Sequence, residues 1–189
     1  MVLFPKKGEE NTEKTLQLAI EEASKCGKKL LISSTRGYSA EKALEMIPDD
    51  FQLIVVTHHH GFKEVDHQEF SEQTFQKLIN KGHKVLTATH VLSGIERAFR
   101  REYNGIHIAE VIANTLRLFS QGVKVCVEMS LMAADAGLIK CSEWIVACAG
   151  SSKGLDTAMV IKPANTSRML ELKIGKIICM PSEYTLNKF

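Results

Sequence analysis

Apolar residues along this chain follow two regimes: short, nearly continuous runs, and stretches where they recur at every third or fourth position. Leu16, Ala19, Ile20 and Ala23 keep the helical spacing, which predicts a first helix starting near Asn11 or Thr12 and ending at Gly27. The same reasoning predicts helices from Ser39 to about Ile47, closed by Pro48, and over 71–81, capped by Ser71 and stopped by Gly82. Ser93-x-x-Glu96 reads as a capping box opening a helix to Tyr103. A further helix over 106–120 would bury Ile108, Ile112, Leu116 and Phe119 on one face, and a short one over 131–136 is rich in alanine.

The apolar runs predict strands at 28–34, 51–57, 83–88, 123–129 and 144–148, with a last strand near 174–180. Strands alternating with helices predict an α/β fold with a mostly parallel sheet, helices covering both faces. Unbroken apolar strands belong to sheets buried on both sides. The extended run 157–161 follows the strand at 144–148 too closely for a helical crossover, so it is expected to run antiparallel to it. In such sheets ligands bind at the carboxyl ends of the strands, near a topological switch point.

Composition narrows the partners. At 189 residues the chain fits a single domain over 1–189, with a core large enough to need no metal or disulfide staples. A net charge of +2 gives no case for nucleic acid or a membrane surface. Arg97, Arg100 and Arg101 alternate with Glu96 and Glu102, the pattern of a solvated helix face. The five cysteines show no C-x-x-C spacing, which points to reduced thiols and a cytoplasmic location. No apolar stretch approaches the ~18 residues of a membrane span.

The chemistry collects after the strands. Ser33-Ser34-Thr35-Arg36-Gly37-Tyr38-Ser39 links the first of these strands to a helix. Ser39 as N-cap and Gly37 as turn residue would account for two of its residues. The remaining hydroxyls and Arg36 favour an anion, in practice a phosphate, at the helix N-terminus. The loop has neither the Walker A ending nor a G-x-G-x-x-G fingerprint.

His58-His59-His60-Gly61 follows the strand at 51–57; in extended chain His58 and His60 share a side, facing a ligand. A metal needs converging ligands that this run lacks. Read as a strand, 123–129 carries Cys126, Glu128 and Ser130 on one face, with the Glu128 carboxylate near its carboxyl end. A buried carboxylate there needs either a basic partner such as Arg36 or a ligand donor. Gly150-Ser151-Ser152-Lys153-Gly154 forms a second donor-rich turn. No nucleophile elbow or Ser/His/Asp order is visible, so catalytic residues stay unassigned.

The Leu31–Ala40 stretch resembles the strand–loop–helix of the pyruvate kinase carboxyl-terminal domain, where such a turn holds a phosphate of a sugar bisphosphate in some members. Trp144–Gly154 is similar to that domain's late strand and Gly-rich loop. Together with Thr89–Ala98 and Met132–Gly137, these stretches resemble the stand-alone pyruvate kinase alpha/beta domain proteins over nearly the full length.

The resemblance implies a three-layer α/β/α fold with central order 3-2-1-4-5 and an antiparallel edge. It also implies bound flavin mononucleotide (FMN), and no pyruvate kinase activity, since that enzyme's catalytic barrel does not fit a chain this short. On this reading Ser34, Thr35, Arg36, Gly37, Tyr38 and Ser39 hold the phosphate. His58, His60, Gly61, Glu128, Ser130, Gly150 and Ser151 face the rest of the cofactor, while His90 and Ser93 lie further out. The expected function is a cytoplasmic FMN-binding protein, with flavin-dependent oxidoreduction as one outcome. The alternative is a non-catalytic sensor of a phosphorylated metabolite. Either takes a small phosphorylated ligand, and self-association is left open.

Overall fold

A computed structural model describes residues 1–182. A short strand β1 (Val2–Phe4) precedes helix α1 (Thr12–Ala23). Then come β2 (Lys29–Ser33), α2 (Tyr38–Met46), β3 (Gln52–Thr57), α3 (Glu72–Asn80) and β4 (Lys84–Thr87). Three helices follow in succession: α4 (Glu96–Tyr103), α5 (Ile108–Arg117) and α6 (Gln121–Asp135). The chain closes with β5 (Ile145–Ala149), β6 (Thr157–Lys162) and β7 (Lys173–Pro181).

The seven strands form one sheet in the order β1-β7-β6-β5-β2-β3-β4. Strands β5, β2, β3 and β4 are parallel, so their carboxyl ends share one edge. As expected, 157–161 runs antiparallel to its predecessor; β6 pairs Ile161 with Ile145 and Thr157 with Ala149. β7 returns antiparallel to β6, and β1, for which no strand is expected from the sequence, extends that side by pairing Val2–Phe4 parallel to Cys179–Pro181.

The strands alternate with period two between the two layers of core. Leu30, Ile32, Leu53, Val55, Val146 and Cys148 face one layer with Leu16, Ala19, Ala40, Ala43 and Leu78 of α1, α2 and α3. Leu31, Ile54, Val56, Ile145 and Ala147 face the other, with Cys126, Met129, Met132 and Ala133 of α6. This is the three-layer α/β/α architecture.

The largest correction concerns 123–129, which is helix. Val123-Lys124-Val125-Cys126-Val127-Glu128-Met129 alternates as a half-buried strand does, but every residue from Gly122 to Ala134 except the half-buried Val125 is buried. A helix enclosed on all sides needs no amphipathic stripe, so its local pattern carries no helical period. Two signals do mark it: Ser120 caps it by accepting from the Val123 amide at 3.0 Å, and Lys124 and Glu128 stand one turn apart and pair. The short helix expected at 131–136 is the end of α6. The order 3-2-1-4-5 therefore needs different strands in its last two places, with β5 beside β2 and β6 beyond it.

Two cap expectations change as well. Gly37, with φ of 112°, occupies the N-cap of α2, while Ser39 lies inside the helix; Ser34 Oγ takes the Ala40 amide instead at 3.3 Å. Ser93 does not cap α4, whose N-cap is Ile95, and the Glu96 carboxylate accepts from the Ala109 amide of α5. The expected apolar face of 106–120 is also only partly buried. Ala113 is the buried residue of α5, whereas Ile108 is 76% and Phe119 57% exposed.

Candidate functional site

The chain runs β2, β3, β4 outward and then returns through α4, α5 and α6 to place β5 on the opposite side of β2. The loops after β2 and β5 therefore diverge at the switch point, which opens a cleft there. Its inner chamber, of about 290 Å³, is lined by Ser34 and Thr35, His58 and Phe62, His90, Glu128, and Gly150 to Ser152. An outer chamber of about 400 Å³ shares Ser34, Thr35, His58 and Ser152 and adds Arg36, Tyr38, Ser39, Lys63, Glu69 and Lys153.

At the centre stands His58. Its Nδ1 lies 3.0 Å from Glu69 Oε2 and its Nε2 3.4 Å from the Thr35 hydroxyl. With Nδ1–H donating to Glu69, Nε2 is an acceptor, but 3.4 Å is long for a bond from the Thr35 hydroxyl, whose proton is free to rotate to a ligand oxygen. Glu69 also meets Lys63 at 3.3 Å and Arg36 at 3.6 Å. The hydrogen bond from His58, then Lys63, holds the Glu69 carboxyl below its ordinary range. Among the described residues, the amides of Thr35 and Arg36 in the loop and of Gly37 at the N-cap of α2 meet no acceptor. Lys153 lies 4.7 Å above the Tyr38 ring and pairs with Glu9.

The inner chamber is aromatic on one side. His58 and Phe62 have ring centroids 3.9 Å apart, and His90 approaches Phe62 at 5.4 Å and His58 at 5.2 Å. The Arg97 guanidinium sits 4.9 Å over Phe62. Burial lowers the His90 imidazole to about 4, against the pull of Glu128 and aided by His58 and Lys124.

Opposite, Glu128 is buried with Lys124 at 2.5 Å and the Leu92 amide at 3.0 Å. Its basic partner is therefore Lys124 and not Arg36, whose guanidinium goes to Glu69. Burial depresses the Lys124 ammonium, with the neighbouring Arg117 and Arg97 adding to the effect and Glu128 opposing it.

The structure thus gathers Ser34, Thr35, Arg36, Tyr38, Ser39, His58, Glu128, Gly150 and Ser151 along one cleft, with Gly37 at the turn. Three expected residues lie elsewhere. His60 and Gly61 are exposed beyond the cleft, because the chain leaves the strand at Thr57 and turns, with the Gly61 amide bonding the His67 carbonyl. His59, not His60, faces His90, at 5.6 Å. Ser130 is fully buried in α6, its hydroxyl donating to the Cys126 carbonyl one turn back.

Conversely, His90 and Ser93 line the inner chamber although β4 is the edge strand, because the loop after it folds back. Glu69, Lys63, Phe62, Arg97, Arg117 and Lys124 escaped sequence reasoning. Lys124 alone carried a signal, the helical i,i+4 spacing to Glu128. No three His, Cys, Asp or Glu side chains among the described residues converge as a metal site would require.

The turn after β5 is built around Asp156. Its carboxylate accepts the Ser151 and Gly8 amides, each at 3.1 Å, and the Thr157 hydroxyl at 3.0 Å. A Cβ on Gly150 would overlap the Gly154 carbonyl, which is backbone and cannot swing away. Gly150→Ala is therefore expected to cost about 1–3 kcal/mol, read by urea denaturation, because the turn must open.

A doubly wound α/β domain with a ligand cleft at its switch point is the class that fold and site define. Residues 13–161 match the family described as pyruvate kinase, alpha/beta domain, and the chain belongs to that family. The matched span contains the whole cleft; β1 and β7 lie outside it. No helix among the described residues is long and apolar enough to cross a membrane.

Proposed function

We propose that the cleft binds FMN, with its phosphate on the loop after β2 and its ring in the inner chamber. The observation that carries the phosphate is the set of unpartnered amides at Thr35, Arg36 and Gly37, flanked by the Thr35 hydroxyl and by Lys153. Fit to the ring rests on the donor set of the inner chamber, where Phe62, His58 and His90 offer faces and edges and Met129 and Met132 an apolar wall. Flavin would supply electron transfer, and the chain's part is to hold and orient it. A cytoplasmic protein of this kind fits the free thiols of all five cysteines.

Titration of the purified protein with FMN, followed by flavin fluorescence, is expected to saturate. Thr35→Val is expected to weaken FMN about tenfold, by loss of a hydrogen bond to a charged oxygen, and to leave riboflavin unchanged. An unquenched flavin signal, or equal binding of riboflavin and FMN, would overturn the reading. The second reading, a sensor of a phosphorylated metabolite without redox chemistry, is favoured by Arg36, Lys63 and Lys153 around the outer chamber. On that reading sugar phosphates raise the melting temperature and FMN does not. Self-association is a further proposal, supported by the exposed Ile95, Phe99 and Tyr103 on and before α4 and by Ile108 and Val111 on α5.

A further inference from the structure

Behind the cleft, α4, α5 and α6 enclose a second chamber of about 110 Å³. It is large enough for a single small ion and too small for a nucleotide. Its walls carry an unusual set of groups. His107 Nε2 is buried there and, alone among the buried side-chain nitrogens and oxygens of the described residues, has no hydrogen-bond partner. A buried polar atom left unpaired costs free energy, so such an atom marks a place where a partner belongs.

Arg97 and Arg117 line the same chamber and have no carboxylate partner among the described residues. Arg117 Nε and Nη1 donate only to the neutral Gln121 and Asn114 side chains, at 2.7 and 2.8 Å. The carboxylates present are committed elsewhere. Glu110 pairs with Arg100, and Glu96 takes the Ala109 amide. The lining thus carries Arg97, Arg100, Arg117 and Lys124 against Glu96 and Glu110, with an unpartnered imidazole nitrogen beside them.

We infer that this chamber is an anion site, separate from the loop after β2, which takes a small oxyanion, a carboxylate or a phosphate, on Arg97 and Arg117, beside the His107 ring. Guanidiniums present forks that match such oxygens, and an anion bound on them changes the field at the adjacent imidazole. Arg97, Arg117 and Lys124 also line the inner chamber of the cleft, so the bound anion lies beside whatever the cleft holds. That position suits an anionic co-substrate or effector. The inference stands on its own observations and does not require the cleft to hold FMN.

The test follows the histidine ring nitrogens of the full chain by NMR during titration with sodium phosphate, sodium acetate and, at matched ionic strength, sodium chloride. His107 is assigned by its loss in His107→Gln. Phosphate or acetate is expected to shift the His107 nitrogens saturably, and whichever does so names the source of the oxyanion. Thr35→Val is expected to leave that response intact, whereas Arg97→Gln and Arg117→Gln weaken it by roughly tenfold or more. A His107 signal unmoved by both anions, or moved equally by chloride, overturns the inference. Those outcomes are read on the unmodified protein, and if His107→Gln fails to fold the ring is assigned by backbone-to-ring correlations instead. Loss of the response in Thr35→Val alone would assign the anion to the cleft and overturn it as well.

Discussion

Lys124→Met is expected to destabilise this protein by about 3–5 kcal/mol, the largest effect of any single side-chain change at the site. Lys124 and Glu128 both lie on the buried helix α6, 7% and 4% exposed, with the ammonium 2.5 Å from Oε2. Removing the ammonium strands a carboxylate whose one remaining partner is the Leu92 amide. The pair's net worth is a different quantity from the cost of breaking it, because desolvation offsets most of its attraction. Lys124→Met combined with Glu128→Leu is therefore expected to recover most of the loss. The recovery is incomplete, because the Leu92 amide then loses its acceptor. Urea denaturation of the two variants decides the matter, and a double variant as unstable as the single one would show that packing, not charge, is at stake.

Acid is expected to weaken the fold through His90. Burial lowers its imidazole from the ordinary 6.5 to about 4. Between those values the unfolded chain takes up a proton that the folded chain refuses, so stability falls with pH across that window and levels off below it. The contribution is present above 6.5 and amounts to about 3 kcal/mol once lost in full. Glu128, Lys124, His58 and His59 surround the ring, and Glu69 and His83 add acid sensitivity of their own, each held below its ordinary range. The measurement is consequently a difference: unfolding free energies at about pH 7 and about pH 4.5, for the protein and for His90→Gln. The variant is expected to lose clearly less on acidification, and equal losses would assign the effect to the other groups.

How much of this was legible beforehand depends on where each residue finds its partners. Ser34, Thr35 and the turn at Gly37 could be read directly, since a strand, a hydroxyl-rich loop and a helix start are neighbours in sequence as in space. Ser71 capping α3 was legible for the same reason, its hydroxyl accepting from the Thr74 amide at 3.3 Å. Glu69 was not. Its partners His58, Lys63 and Arg36 reach it from two different strand-end loops, and nothing local tells such a carboxylate from a solvated one. The misread helix α6 shows the limit from the other side. Alternation signals a strand only where one face meets water, and α6 meets none over its buried length.

From the sequence alone come the alternating elements, the parallel sheet under two helical layers, the antiparallel return of β6, and the hydroxyl loop between β2 and α2. Each follows from periodicity, capping or chain length, which act over a few residues. The tertiary structure alone decides that β5, and not 123–129, sits beside β2, since strand neighbours are chosen by packing across the whole sheet. It alone turns His59 rather than His60 toward His90, pairs Glu128 with Lys124, and leaves His107 Nε2 without a partner. Those outcomes depend on contacts between segments that sequence spacing does not encode.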